Sequence, residues 1–151
     1  MKKSPLPFFV VAIAVLALDQ ATKYYIRTHL GPFDVLRILP FFDIVYAENT
    51  GSAFGMFKSM GSYFFIAIST TAIIALSVLL IKDLTGRTAY ALLLGGAAGN
   101  LMDRLLYGHV VDFLDVYVGR HHWPAFNVAD SALTVGIAIL FYQAFFQKRT
   151  C

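Results

Sequence analysis

Charge is scarce in this sequence. Only 14% of its 151 residues are Asp, Glu, Lys or Arg, while 58% are hydrophobic; soluble domains run at about 25% charged and about 45–50% apolar. That balance excludes an ordinary soluble domain and places the chain among membrane proteins, as does its mean hydropathy of +0.68. Cysteine is scarcer still. Cys151 stands alone at the end of the sequence, which excludes an internal disulfide and any multi-cysteine metal site. The net charge of +3 is spread without a basic face, so no nucleic-acid partner is expected. Internal repeats and low-complexity segments are absent, and the length suits one domain, 1–151. A serine or cysteine nucleophile is also missing: neither Ser52 nor Ser131 has a neighbouring histidine or lysine to activate it.

What is present is a set of long apolar runs. A membrane-crossing helix needs about 20 mostly apolar residues, and four stretches supply them: 7–25, 62–81, 88–106 and 128–146. The first, with "MKK" before "FFVVAIAVLAL", has the charge and apolar core of a secretory signal peptide. No small-x-small cleavage site follows, so it reads as an uncleaved first span. Lys2 and Lys3, Lys82 and Arg87, and Lys148 and Arg149 fall in short segments on one side of these spans. The other side carries Arg37, Lys58 and Arg120, dispersed over two longer loops at about 27–61 and 107–127. Short cytoplasmic loops collect lysine and arginine, so both termini are expected in the cytoplasm and the long loops outside. In the first of these loops, "DVLRIL" and "FFDIVYAE" are rich in strand formers, with Pro40 as the break between them. The expected fold is therefore mainly α: four transmembrane helices with a small extracytoplasmic β-cradle on the membrane surface. Gly95 and Gly99, four apart in "LGGAAGN", read as a helix-packing face.

The few acids are not randomly placed. Asp19, Asp103 and Asp130 each fall near the outer end of a span, and Asp112 lies in the loop just beyond. Ionisable groups at a span centre cost on the order of 2.5–3.5 kcal/mol each, and less near the interface. One layer thus collects these carboxylates together with Asn49, Asn100, Asn127 and Arg104. Asn100, Asp103 and Arg104 share a helix face at i, i+3 and i+4. Two plainer readings compete: Asn127 and Asp130 as a helix cap and first-turn acid, and Asp103 with Arg104 as an interfacial ion pair.

His109, His121 and His122 share a loop with Asp112 and Asp115, but their spacing matches no established ligand pattern, so neither metal nor cofactor is expected. What remains is chemistry by carboxylates. Two aspartates sharing one proton can activate water, one as base and one as acid. Asp112 and Asp130, which bracket the second outer loop, are the natural pair.

Five motifs, "DQATK" at 19–23, "NTGSAF" at 49–54, "GNLMDR" at 99–104, "GHVVDF" at 108–113 and "FNVADS" at 126–131, together resemble the motif set of lipoprotein signal peptidases, the bacterial type II signal peptidases. The resemblance runs in the family's order over nearly the whole chain. It implies a four-span aspartic endopeptidase of the bacterial inner membrane, its site at the extracytoplasmic face, working without a metal and expected as a monomer among membrane lipids. The implied substrates are prolipoproteins whose lipobox cysteine already carries diacylglycerol, cut just before that cysteine. By motif match Asp112 and Asp130 would be catalytic, with Asp19, Asn49, Asn100, Asp103, Arg104 and Asn127 lining or supporting the site. The loop bearing "NTGSAF" would add a cradle and a flap. The rival reading is a small transporter or proton-conducting protein. It calls for polar groups through the full membrane depth, whereas "ALSVLLI" and "AILFYQAFF" are nearly free of charge.

Overall fold

The computed structural model describes residues 4–51 and 61–146. Within them helices and strands run in the order α1 (Leu6–His29), β1 (Val35–Leu39), β2 (Phe42–Asn49), α2 (Gly61–Lys82), α3 (Arg87–Tyr107), β3 (Val110–Val118), β4 (His121–His122) and α4 (Val128–Phe146). All four apolar stretches are helical. Residues Lys2, Lys3, Ser52, Phe54, Phe57, Lys58, Lys148, Arg149 and Cys151 lie outside the described residues, and with them the expected flap and some of the flanking charges.

Three helices, α1, α2 from Ser62 onward and α4, are long and apolar enough to cross a membrane. They show lipid-compatible side chains outward, among them Val10 and Ile13, Ile68 and Ile74, and Ile137 and Phe141. The third expected span is different. α3 has 21 residues but carries Arg87, Asp103 and Arg104, and its apolar content alone does not qualify it as a span. Its composition follows from its place: α1, α2 and α4 all pack against α3, which buries Ala89, Leu93, Ala97, Asn100 and Asp103. A helix wrapped by protein has no need of a wholly apolar surface. The small residues make this possible. A Cβ on Gly95 would lie 2.6 Å from the Ala12 carbonyl oxygen, and one on Gly99 would lie 2.5 Å from Asp19 Oδ2. The i, i+4 glycine face read as a packing feature is thus the face on which α1 lies.

α1 runs on to His29 rather than ending near residue 25, because Ile26 and the following Leu30 bury themselves against Val111 and Phe113 of the sheet. The sheet is antiparallel, in the order β1-β2-β3-β4. β1 and β2 fall where the sequence placed them. β3 has no counterpart in that reading: the second long loop, to which no strand was assigned, contains a nine-residue strand, "VVDFLDVYV". Its β-branched and aromatic residues suit a strand. Yet Val110, Val111, Asp112 and Phe113 are all buried, so its start lacks the one-sided alternation that betrays a half-buried strand.

The helix ends and the sheet meet at one end of the bundle. α3 closes at Gly108, whose φ of +77° forms a left-handed C-cap, and β3 starts two residues later. After β4, Phe126 pairs with Leu114 of β3. That pairing sets the first residues of α4 beside Asp112.

Candidate active site

All eight polar residues singled out in the sequence converge at this end, in one hydrogen-bonded network. The sheet register explains how β3 contributes Asp112. Asn49 of β2 stands opposite Val110, and Ala47 stands opposite Asp112. Asn49 and Asp112 are therefore diagonal neighbours on one face of the sheet, within reach of a side chain. Asn49 Nδ2 donates to Asp112 Oδ2 at 2.9 Å. Ala47, opposite, carries only a methyl group.

The start of α4 supplies the rest. Asn127 caps the helix: its Oδ1 accepts from the Asp130 backbone N–H at 2.9 Å, as a cap residue does toward the third helical residue. The Asp19 carboxylate of α1 accepts from the Ala129 N–H, also at 2.9 Å, so two of the helix's open N–H groups are satisfied by side chains. The capping reading and the functional reading of Asn127 prove compatible. While Oδ1 caps the helix, Nδ2 donates to Asp112 Oδ1 at 2.7 Å.

Asn100 of α3 completes the layer, its Nδ2 donating to Asp130 Oδ1 at 2.7 Å. Asn127 Nδ2 also lies 3.3 Å from Asn100 Oδ1. Asp112 and Asp130 are thus joined through two amides, and both oxygens of Asp112 accept an N–H. Burial pushes the Asp112 carboxyl up to about 6; the nearby Asp130 charge adds to this, while the Asn49 and Asn127 hydrogen bonds and the Lys23 charge oppose it. A carboxyl so placed holds a proton well above the ordinary range, the condition under which one aspartate of a pair is acid while the other is base.

The ion pairing differs from expectation. Asp103 does not pair with Arg104. Lys23 of α1 is fully buried and lies 2.9 Å from Asp19 Oδ2 and 3.1 Å from Asp103 Oδ2; Arg27 lies 3.4 Å from Asp103 Oδ1. Gln20 donates to both aspartates, and Asp103 Oδ2 accepts the Val111 N–H at 3.1 Å, tying β3 to α3. Arg104 turns to the backbone, donating to the carbonyls of Asn100 and Gly51, with its guanidinium over the Phe65 ring. Successive residues diverge because 103 lies on the α1-facing side of α3 and 104 turns by about 100° from it.

Lys23 is the residue the sequence reading passed over. Its signal was there: Asp19, Lys23 and Arg27 recur at i, i+4 and i+8 in an otherwise apolar helix, a charged stripe that needs a partner inside a membrane protein. The histidines, by contrast, face elsewhere. His122 meets Asp115 at 2.9 Å and stacks on Tyr117, and His109 lies 3.7 Å from Glu48.

The comparisons with known proteins agree with one another. The family model described as signal peptidase (SPase) II matches residues 11–146. The chain is 47% identical to the lipoprotein signal peptidase of Thermodesulfovibrio yellowstonii over 129 residues, 85% of this chain and 88% of that one. It is 42% identical to the lipoprotein signal peptidase of Syntrophus aciditrophicus, over 93% and 92% of the two chains. Among solved structures, a bacterial membrane enzyme determined by the in meso method at 2.3 Å superposes with a TM-score of 0.84 at 35% identity, covering 96% of this chain and 93% of that one. None of these relatives is named as a transporter. With the matched segment reaching from α1 to the end of α4, the chain belongs to the signal peptidase II family.

Proposed function

We propose that Asp112 and Asp130 are the catalytic dyad of this peptidase, sharing one proton. The ionised carboxylate takes a proton from water, and the water oxygen attacks the carbonyl carbon of the scissile bond. The protonated carboxyl gives its proton to the carbonyl oxygen. Collapse of the resulting diol breaks the C–N bond, and the amine leaves with a proton returned by the dyad. The observation that carries this reading is the arrangement of the donors. Asn49, Asn127 and Asn100 all turn N–H groups onto the two carboxylates, so a single negative charge on the pair is stabilised without a metal. Asp19, Asp103, Arg104 and the three asparagines hold the pair in place.

The substrate class follows from the family and from the location. The two aspartates lie where helix ends meet the sheet, and this reading takes that end as the membrane surface, where a diacylglyceryl group would anchor a cysteine against the lipid. We read the chain as one integral-membrane domain of four spans in the bacterial inner membrane, monomeric, with both termini cytoplasmic and the sheet and dyad on the extracytoplasmic face. α3 is the fourth span, sheltered by the other three. The test is cleavage of a diacylglyceryl-modified prolipoprotein, followed by mass spectrometry. The wild-type protein should cut just before the lipidated cysteine and spare the unlipidated precursor. Asp112→Asn and Asp130→Asn should each remove cleavage by on the order of 10⁴-fold, and the double variant should be scarcely worse, as for residues acting as one unit. Substantial turnover by either single variant would remove the dyad.

A further inference from the structure

The Lys23 ammonium has three N–H groups and three acceptors: Asp19 Oδ2, Asp103 Oδ2 and Asn100 Oδ1, the last at 3.0 Å. All are buried, and Lys23, Asp19 and Asp103 have no solvent exposure. Charge neutrality does not require the third contact. Lys23 and Arg27 balance Asp19 and Asp103 by themselves, so a lysine serving only as counter-ion has no use for Asn100. The contact does, however, decide how the Asn100 amide is turned. An ammonium only donates, so the Asn100 atom facing it must be the oxygen, and the NH2 group must then face Asp130. The other two asparagines have their oxygens fixed by backbone N–H groups, Asn49 by Gly51 and Asn127 by Asp130. Asn100 has no such backbone donor among its described contacts; its oxygen faces only Lys23 and the Asn127 amide, which is already committed to Asp112.

We infer that Lys23 is a positioning residue for the dyad: it locks the Asn100 side chain with its N–H toward Asp130, and so holds the pair in its singly ionised form. This rests on the dyad reading above. Without Lys23 the Asn100 amide is free to turn over and set its oxygen against the Asp130 carboxylate, an arrangement that favours a protonated carboxyl instead. The charged and titratable groups around Lys23 are Asp19 and Arg27 on α1, Asp103 and Arg104 on α3, Asp112 on β3 and Asp130 on α4. The field of Lys23 also acts on Asp112, in the sense that favours its ionised form.

Lys23→Met alone strands two buried aspartates and risks misfolding. The informative variant is therefore Lys23→Met with Asp103→Asn, which removes one charge of each sign. Purified in detergent or lipid, it is compared with wild type and with Asp103→Asn alone, which carries any effect of Asp103 itself, for thermal stability, kcat, KM and pH profile on the lipidated substrate. The inference requires that stability be largely recovered relative to Lys23→Met while kcat stays down by about 10²-fold, the scale of a misaligned catalytic group. KM should change little, and the pH–rate bell should move to higher pH, because the anion has lost a donor. Recovery of wild-type kcat and pH profile would show Lys23 to be a counter-ion only and overturn the inference. Should this pair fail to fold, Lys23→Met with Asp19→Asn makes the same comparison, since the asparagine oxygen can still accept from Ala129. The dyad reading fails separately: it falls if Asp112→Asn or Asp130→Asn retains turnover, whatever Lys23 does.

Discussion

Asn127 shows how much one side chain carries here. Helix caps accept Asn, Asp and Ser about equally, and that equivalence fails at this position, since the Asn127 amide accepts from one helix N–H through Oδ1 while a second atom, Nδ2, donates to Asp112, which an ionised Asp could not do. Asn127→Asp should therefore keep the cap and the fold but set a third carboxylate against the pair. The expected result is a protein that keeps the cap but loses about 1–3 kcal/mol of stability, because a buried hydrogen bond to Asp112 is replaced by repulsion, with cleavage reduced by at least about 10²-fold, checked by thermal unfolding beside the mass-spectrometric assay. The pH dependence belongs to the same scale. A dyad works with one carboxyl ionised and one protonated; once both are ionised the acid is lost. With the Asp112 carboxyl raised to about 6, kcat/KM should pass through a maximum and fall as pH rises through that region. The two limbs report the pair rather than either residue. A flat profile from pH 5 to pH 8 would contradict it. Most of these residues were legible because polar side chains near lipid stand out. Lys23 was not singled out, because its partner lies on another helix, and only the fold shows that Asp103 of α3 stands over it.

At the level of elements, the four helices and the first two strands could be read from hydropathy and strand propensity. β3 could not, for a physical reason: its first four residues are all buried and so show no period-2 signature, and its partner β2 lies more than 60 residues earlier, at Asn49 against Val110. The register it brings is what sets Asp112 beside Asn49. A shift by one residue would turn Asp112 to the opposite face of the sheet. The α1–α3 contact was legible as a glycine face but not as part of the site. Gly99→Ala tests that link. The added Cβ would collide with Asp19 Oδ2, the atom that pairs with Lys23, and so displace the carboxylate whose Oδ1 accepts from Ala129. Overpacking of this kind typically costs about 1–3 kcal/mol, and turnover should fall beyond what the loss of folded protein explains. Gly95→Ala, facing the Ala12 carbonyl on the same face, should destabilise by a similar amount with turnover per folded molecule nearly intact.

For the whole molecule, the proposed four-span arrangement is checked by topology. A reporter fused after Phe146 should behave as cytoplasmic, and a tag inserted in the Gly119 turn should be reached from outside. The first long loop and the second come together in one sheet although α2 and α3 separate them in sequence, so neither loop makes the site alone. Three apolar helices surround one that is far less apolar, and this bears on how the protein is made. α1 and α2 leave the ribosome with enough apolar length to enter the bilayer unaided; α3, with Arg87, Asp103 and Arg104, does not. Its retention must depend on neighbours already in place: Lys23 waiting for Asp103, and the α1 face waiting for Gly95 and Gly99. Transplanted alone into an insertion reporter, α3 should integrate poorly, and it should integrate well when α1 and α2 precede it. The salt bridge between Lys23 and Asp103 then fastens the least apolar helix to the first one, as well as standing behind the candidate site.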